Sequence, residues 1–389
     1  MSESQYQQRG VSASKKEVHA AIQDQDKGLY PGAFCTILPD LSGDEDWCML
    51  MHADGAGTKS SLAYLYYKET GDLSVFAGIA QDSLVMNTDD LACVGAVDHF
   101  FVSNTIGRNA HRVGGEVIKT IIEGYQSFVS KLSELGVDVT LAGGETADVG
   151  DLVNTLICDS TATVRLRRTE VVNAAEITPG LAIVGLESTG RATYEDFDNA
   201  GMGSNGLTAA RHLLLHSDYR TKYPETYANS MDPQLAYTGK YHVEDILPDT
   251  DMTVGKAILS PTRTYLPLIK QLLEQQRPAI KGMIHCTGGG QAKCTHFGSG
   301  IRYVKNNLFP IPPLFRAIFE QGDIDAKEMY QDFNMGHRLE IFCTVESVPA
   351  IIACAAEFGI AARQVGYTEA AEGANELWLE SELGKFLYK

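Results

Sequence analysis

The sequence is short of positive charge and contains no long hydrophobic run. Lysine and arginine number 32 against 50 aspartates and glutamates, which gives a formal net charge of −18. A surface of this sign repels nucleic acid phosphates and anionic membranes. The longest apolar runs fall well short of the ~20 residues that a membrane-spanning helix needs. We therefore expect a protein that binds neither nucleic acid nor membrane.

The cysteines lack the spacing of a metal or redox motif. There are eight of them, no two form a C-x-x-C pair, and the opening residues carry no secretory signal. Scattered cysteines of this kind are typically reduced thiols in the core of a cytoplasmic protein. The sequence thus predicts a cytoplasmic protein without disulfides.

Length and composition indicate two domains with large cores. The 389 residues exceed a typical domain of roughly 150 residues, and 44% of them are apolar. Strands, polar loops and helices alternate in both halves, which is typical of mixed α/β domains. A charged, turn-prone stretch at residues 166–180 separates the halves. We predict a first domain at 1–170 and a second at 171–389.

Hydrophobic periodicity places the main elements. In the first half it predicts a helix at about Phe76–Val94 and a strand at Asp138–Ala142. In the second half it predicts helices at Leu207–His216, with an N-cap from the preceding Ser-Asn-Gly, and at Arg263–Glu274. A last strand is expected near Arg363–Tyr367.

A glycine-rich loop follows the first predicted strand, with Asp54, Gly55, Gly57, Thr58 and Lys59 in six consecutive positions. Glycines let a backbone approach a ligand closely, a lysine supplies a charge for phosphate, and an aspartate suits Mg²⁺. A tight turn before a helix explains the same residues equally well. Both interpretations stay open from this loop alone.

Three acids share one side of the helix predicted at Phe76–Val94. Asp82, Asp89 and Asp90 fall within about a 100° arc at 3.6 residues per turn. A solvated acidic face is the ordinary explanation. Apolar neighbours on the helix and the upstream Asp54 favour metal binding by at least two of these acids.

Two further strings lie at predicted strand ends. Gly143-Gly144-Glu145-Thr146 follows one strand directly, where ligands of α/β sheets collect. The glycine-rich loop 287–290 follows another, next to His285, which is either a structural histidine or a site residue. This loop does not match the phosphate-binding Walker motif, because Lys293 lacks the required neighbours. Its backbone N–H groups still suit an anionic group.

Taken in order, these strings resemble the aminoimidazole ribonucleotide synthetase family over nearly the whole chain. The resemblance is carried by Tyr6-x-x-x-Gly10-Val11, Asp54-Gly55-x-Gly57-Thr58-Lys59, Asp82 to Asp90, Gly143-Gly144-Glu145-Thr146, Ser204-Asn205-Gly206 with Arg211, Pro261-Thr262-Arg263-x-Tyr265, His285-x-Thr287-Gly288-Gly289-Gly290, and Glu328-Met329-Tyr330 with Phe333-Asn334-Met335-Gly336.

The resemblance implies a two-domain α/β subunit that forms a homodimer through the sheets of its first domains. It also implies the ATP- and Mg²⁺-dependent conversion of formylglycinamidine ribonucleotide to aminoimidazole ribonucleotide, with release of ADP and phosphate, in purine biosynthesis. ATP is expected on the first domain, near the dimer interface.

Site residues are predicted by carrying the family pattern onto this sequence. The predicted catalytic residues are Lys59 and His285. The predicted ATP-binding residues are Asp54, Gly55, Gly57, Thr58, Lys59, Asp82, Asp90, Gly143, Gly144, Glu145 and Thr146. The predicted metal ligands are Asp54, Asp82, Asp90 and Glu145. The predicted substrate-binding residues are Ser204, Asn205, Arg263, Thr287, Gly288, Gly289 and Asn334.

The chain departs from the family pattern at four places. The glycine-rich opening loop of the family is reduced here to Lys27–Phe34. Asp89 stands where members usually have Asn, and Gly203 stands where they usually have His. The segment Arg191–Met202 is inserted just before Gly203. Selenophosphate synthetase and thiamine-monophosphate kinase share the architecture and are the rival enzymes; a catalytically silent nucleotide-binding scaffold is the rival of another class. The strings at 261–265 and 333–336 favour the ring-closing ligase.

Overall fold

A five-stranded sheet organises the first half of the computed structural model, which describes residues 5–11, 21 and 25–389. The strands run in the order β1-β2-β5-β3-β4, and only β3 and β4 are parallel. Their bounds are β1 Leu38–Pro39, β2 Trp47–Gly55, β3 Phe100–Arg108, β4 Val139–Asp148 and β5 Leu156–Arg167. The helices of this half are α1 Gln5–Gln8, α2 Lys59–Thr70, α3 Val75–Ala92 and α4 Gly115–Glu134.

Helices α2, α3 and α4 pack against one face of this sheet, and in the described part of the chain the other face is left uncovered. Apolar side chains stand on the uncovered face: Met51 is 59% exposed and Phe101 57% exposed. Both pair with Thr163 of the strand between them, so the three side chains form one row across the sheet. Antiparallel sheets commonly face water on one side, but with polar residues there.

A seven-stranded sheet organises the second half, in the order β14-β13-β10-β12-β6-β11-β9. Its strands are β6 Ala182–Glu187, β9 Ile280–His285, β10 Ile301–Lys305, β11 His337–Cys343, β12 Ala362–Ala370, β13 Glu376–Ser381 and β14 Gly384–Tyr388; β7 Thr189–Gly190 and β8 Asn199–Ala200 pair separately. The helices are α5 Leu207–Leu214, α6 Asp218–Lys222, α7 Val254–Ile258, α8 Leu266–Gln276, α9 Pro313–Gly322, α10 Ala326–Asp332 and α11 Val348–Glu357.

Every residue of strand β11, which lies between β6 and β9, is buried, although three of them carry ionisable side chains near one end. Glu340 accepts from Lys305 at 2.5 Å and from His337 at 2.9 Å, and no part of the lysine or the glutamate is exposed. A buried charge is tolerated only when it is paired, so this contact belongs to the core rather than to the surface.

The mixed α/β fold class is confirmed, while several element bounds differ from the prediction. The strand predicted at Asp138–Ala142 continues to Asp148 as β4, because residues 144–148 pair in register with β3. The helix predicted from Arg263 begins at Leu266, after Pro261–Tyr265 has docked on α3. Helix α2 and strands β13 and β14 were missed. The predicted boundary near residue 170 lies between the first sheet and the second.

In the described residues, no helix is both long and apolar enough to cross a membrane.

Replacing Lys305 with Met should lower the free energy of unfolding by about 3–5 kcal/mol, because Glu340 would keep its burial and lose its main counter-charge. Urea denaturation measures the change. Lys385→Met is the control, since it breaks an exposed ion pair with Glu380 in the same sheet, and we expect less than about 1 kcal/mol from it. Equal, small effects of both substitutions would contradict the assignment of the buried pair to the core.

Candidate functional site

The three acids of α3 are buried at the boundary between the two halves, where second-half residues bind them. Asp82 Oδ1 accepts from the backbone N–H of Thr262 at 2.7 Å and from its hydroxyl at 2.5 Å. Asp89 accepts from the Thr264 hydroxyl at 2.7 Å and the Tyr265 N–H at 3.0 Å. The helical spacing that sets the acids on one side therefore presents them to one loop of the second half.

Lys59, the first residue of α2, completes the site around Asp82. Its Nζ donates to Asp82 Oδ1 at 2.8 Å, to the carbonyl of Gly203 at 3.1 Å and to the carbonyl of Ser260 at 2.6 Å. An ammonium group has three donors, and all three are used. Burial lowers the pKa of Lys59, and Asp82 offsets this only in part. Lys59 thus joins the two halves and presents no donor to a phosphate in this conformation.

Asp90, His285 and Arg338 form a buried chain of hydrogen bonds. His285 Nδ1 lies 2.6 Å from Asp90 Oδ1, and Arg338 Nε donates to His285 Nε2 at 3.0 Å. Because Nε2 accepts, the proton must be on Nδ1, which donates to Asp90. Burial lowers the pKa of His285 to about 4, with Arg338 and Lys293 acting in the same direction, although Asp90 opposes it.

The carboxyl groups of Asp89 and Asp90, which both lie at this chain of hydrogen bonds, have opposite pKa shifts. Burial alone would raise the pKa of Asp90, but hydrogen bonds from His285 and His52 outweigh it and hold that pKa well below its usual range. Burial raises the pKa of Asp89 to about 7, and Arg338 at 3.7 Å reduces the effect. Asp90 is therefore the permanent anion of the site.

The inserted segment Arg191–Met202 binds the loop 261–265, which holds the α3 acids. It follows β7 directly and contains β8, and its Glu195 binds Arg263 through both oxygens, at 3.0 and 2.5 Å. Arg263 also donates to the carbonyls of residues 187, 189 and 190. All five of its donors are used, so Arg263 supports the loop and is closed to a substrate.

The four acids predicted to bind metal do not converge within one chain. Register places Gly55, Asp159, Thr105 and Glu145 in one row across four neighbouring strands. Three strand spacings of ~4.8 Å separate the first from the last by about 14 Å, too far for Asp54 and Glu145 to share one ion. Among the described residues, no three of the four acids bring their oxygens within 4.8 Å of one another.

A different carboxylate lies beside Asp54. Asp159 of β5 places Oδ1 1.8 Å from where a Cβ on Gly55 would stand, so only glycine fits there. Burial raises the pKa of Asp159, and the charge of Asp54 adds to the effect. Asp54 and Asp159 are both half-buried and near enough for their charges to interact, and carboxylate oxygens are the ligands that Mg²⁺ prefers.

The loop of residues 56–58 leads into the N-terminus of α2. Thr58 is the N-cap, and its side chain makes no capping hydrogen bond to the helix. Its hydroxyl instead contacts the Thr208 hydroxyl of α5 at 3.0 Å. Gly57 and Thr58 are exposed. An uncapped N-terminus of a 12-residue helix attracts an anionic group through its N–H donors and its dipole.

A second anion-binding feature faces the first from the second half. Gly288, Gly289 and Gly290 all have positive φ, and a Cβ on Gly290 would stand 2.6 Å from the Tyr330 carbonyl. Asn205 Oδ1 lies 3.9 Å from the Cβ position of Gly288. Asn205 Nδ2 is buried without a hydrogen-bond partner among the described residues. A buried donor without an acceptor is costly, and an anionic ligand in this loop would supply one.

The remaining predicted residues have structural or open settings. Ser204 donates within the Asp82 and Thr262 cluster, so it does not act as the N-cap of α5; Gly206 does. The side chain of Asn334 donates to the Gly201 carbonyl and accepts from the Ser188 hydroxyl. Residues 143–146 are exposed on β4, and Thr287 is buried beside the glycines.

Sequence analysis missed several residues of the site, namely His52, Asp159, Glu195 and Arg338. One signal was available for Arg338: a run of ionisable residues inside an otherwise apolar strand indicates buried pairing. The cavity of ≈ 680 Å³ between α3, α4 and the inserted segment is lined by none of the predicted site residues.

Acid should weaken the wild-type protein through His285. This histidine is neutral in the folded state, with a pKa of about 4 against 6.5 for an ordinary histidine, so only the unfolded chain gains the proton between these values. The contribution of His285 to the free energy of unfolding is therefore fully present above pH 6.5 and decreases as the pH drops toward 4. His285→Asn keeps an N–H for Asp90 but cannot titrate. Thermal unfolding should show the difference in melting temperature between wild type and variant shrinking from pH 7.5 to pH 5; a constant difference would contradict the assignment.

Comparison with known proteins identifies the family. The model of the AIR synthase related protein N-terminal domain matches residues 32–164, and that of the C-terminal domain matches 178–378. A phosphoribosylformylglycinamidine cyclo-ligase from Methanococcus vannielii is 27% identical over 92% of this chain and 86% of its own. One from Thermococcus kodakarensis is 30% identical over 75% of this chain and 70% of its own.

A solved structure agrees in fold. PurL of T. maritima complexed with FGAR has a TM-score of 0.55 at 13% identity over 97% of this chain, which spans about half (49%) of that one. The resemblance found in the sequence is confirmed. The two domain models together cover most of the chain, which therefore belongs to the AIR synthase related protein family.

Proposed function

We propose that this chain is a phosphoribosylformylglycinamidine cyclo-ligase, which closes formylglycinamidine ribonucleotide to aminoimidazole ribonucleotide at the expense of ATP, in cytoplasmic purine biosynthesis. Relatives that share most of its length carry that name. The observation that carries the proposal is that two anion-binding backbone features, one from each domain, face each other across the domain boundary.

The distance between these features is fixed by direct contact. Thr58 at the N-terminus of α2 contacts Thr208 in the first turn of α5, and Asn205 lies three residues before Thr208 in the chain, just ahead of the N-cap Gly206. A triphosphate on the first domain and a ribose phosphate on the second would therefore approach each other at this boundary. A reaction between ATP and a phosphorylated second substrate needs that arrangement.

We assign ATP to the first-domain feature, with the triphosphate at Gly55, Gly57 and Thr58. Mg²⁺ would be held by Asp54 with Asp159, and it would neutralise the phosphate oxygens. The remaining nucleotide-binding candidates, Gly143, Gly144, Glu145 and Thr146, stand on the edge strand of the same sheet.

We assign the substrate phosphate to Asn205, Thr287, Gly288 and Gly289. Lys59 and His285 have their polar atoms fully occupied by protein groups, so we propose a positioning role for both in place of the predicted catalytic one. Asp82 and Asp90 act with them, because their hydrogen bonds hold the two domains in register.

The chemistry asks the protein mainly to align two bound molecules. The formyl oxygen attacks the γ-phosphorus and ADP leaves, which converts that oxygen into a good leaving group. The ribosyl nitrogen then attacks the formyl carbon, and the carbon–oxygen bond breaks as phosphate departs. Oriented donors around the transferring phosphoryl group lower the barrier of the first step.

Oxygen labelling separates this reaction from its rivals. With ¹⁸O at the formyl oxygen of the substrate, the label should appear in inorganic phosphate in step with ring closure. A kinase would leave the phosphoryl group on its product, and a simple ATPase would take the fourth oxygen from water. If the ring forms and the released phosphate carries no label, the proposed mechanism is wrong.

The Asn205→Ala variant tests the substrate half of the site. It should raise the KM for formylglycinamidine ribonucleotide by roughly tenfold or more, as expected for a lost hydrogen bond to a charged group, and change the KM for ATP little. Asn229→Ala, in an exposed loop, is the control. A selective rise in the KM for ATP would reverse the assignment of the two features.

We further propose a homodimer formed through the uncovered face of the first sheet. Met51, Phe101 and the 38%-exposed Ile157 make this face apolar, and a second copy is the partner that the family resemblance implies.

Phe101→Glu should convert the dimer into a monomer, because it would bury a carboxylate without a partner at the interface. Sedimentation should then give 42.3 kDa in place of twice that mass. Ile246→Glu is the matched control, since Ile246 is also 57% exposed but lies in the second domain. A wild-type protein that sediments as a monomer at micromolar concentration would refute the proposal.

A further inference from the structure

Two histidines meet in a part of the second domain that contributes nothing to the site. His216 and His242 belong to the stretch between α5 and α7, and their rings stack with centroids 4.7 Å apart. The backbone holds them there: His216 N–H donates to the Tyr241 carbonyl at 2.8 Å, and Tyr241 N–H donates to that of Leu214 at 3.0 Å. Their proximity is thus fixed by main-chain contacts rather than by flexible side chains.

The carboxylate of Asp218 contacts one ring nitrogen of each histidine. Asp218 Oδ2 is 3.2 Å from His216 Nδ1 and 3.6 Å from His242 Nε2, and the three ligand atoms all lie within 4.8 Å of one another. In a tetrahedral zinc site with bonds of 2.0–2.1 Å, neighbouring ligand atoms stand about 3.3 Å apart. The two distances from Asp218 Oδ2 are close to the edges of such a tetrahedron.

The surroundings of the three ligands also suit an ion. Asp245 Oδ2 lies 3.7 Å from His242 Nδ1, the ring nitrogen that faces away from Asp218, and it accepts from the His242 backbone N–H at 2.6 Å. A carboxylate in this place orients a ligating histidine. His216 Nδ1 now accepts from the Asp218 N–H over 3.3 Å, a long contact that an ion would replace.

The site is open to solvent, which leaves room for an ion and a water ligand. The side chains of His216, Asp218 and His242 are 34%, 68% and 47% exposed. The other described group with three possible ligands, Cys286, His337 and Glu340, is fully buried, and Lys305 already neutralises its carboxylate.

We propose that His216, Asp218 and His242 form a site for a divalent transition-metal ion, with Zn²⁺ the best fit. Two imidazole ligands select Zn²⁺ and its neighbours over Mg²⁺, which prefers oxygen. The ion fastens the start of the stretch, at His216, to its far end, at His242. It acts as a structural clip apart from the ring-closing site, so it stands or falls independently of the proposed function.

Calorimetric titration of chelator-treated protein with ZnCl₂ tests the site. The wild type and His111→Ala, a control at an exposed histidine elsewhere, should bind one Zn²⁺ per chain and melt at a higher temperature when loaded. His216→Ala and His242→Ala should each lose at least tenfold in affinity and lose the rise in melting temperature. MgCl₂ should leave the melting temperature difference between wild type and His216→Ala unchanged.

Two results would overturn the proposal: no zinc binding by the wild type, or equal binding by all four proteins, which would place the ion elsewhere. Circular dichroism of each apo-protein establishes that the variants are folded. Asp218→Asn provides a second test with a milder change, because it removes the charged ligand without opening a space; it should weaken zinc binding as the histidine variants do.

Discussion

The docking of three buried carboxylates of α3 on the second domain is the interaction on which the geometry of the site depends. Ions taken out of water are costly unless each is paired and hydrogen-bonded. Asp82, Asp89 and Asp90 meet this requirement only while Thr262–Tyr265, His285 and Lys59 remain within about 3 Å of them. A relative shift of the domains by about 1 Å would therefore break several of these hydrogen bonds together. The same restraint fixes the distance between the two anion-binding features.

Three of the four departures from the family pattern meet at one side chain, Arg338. Asp89, in place of Asn, lies 3.7 Å from its guanidinium. Gly203, in place of His, leaves space there, since a Cβ would stand 3.3 Å from Arg338 Cδ. Glu195 of the inserted segment binds Arg263, and the backbone carbonyl of Arg263 accepts a hydrogen bond from Arg338. The added acid Asp89, the side chain missing at Gly203 and the inserted segment all affect the surroundings of the same cation. We therefore interpret them as one linked change rather than three independent ones.

Sequence analysis succeeded where the signal is local. Helical spacing placed the α3 acids on one side, and runs of glycine marked both loops now assigned to phosphates. The partners of those residues were beyond its reach, because Asp89 and Thr264 are 175 positions apart and Asp90 and His285 are 195 apart. Glu145 shows the limit of a local signal. It follows a strand in sequence, as a metal ligand often does, but strand order sets it three strands away from Asp54. Only the resemblance to a family connected these distant strings to a reaction.

A protein of net charge −18 that handles two phosphorylated molecules must bind them without an excess of cations. Lys59 and Arg263 were predicted from the sequence to bind ATP and substrate, but internal acceptors occupy them, as they do Arg338. The groups that we propose for the phosphates are mainly backbone groups: the first turn of α2 and the loop 287–290, with the amide of Asn205. Fixed N–H dipoles bind anions while adding no charge to the surface. The buried cations then serve a different purpose, which is to neutralise the acids that hold the domains together, and substrate binding and domain docking become separate tasks of separate groups.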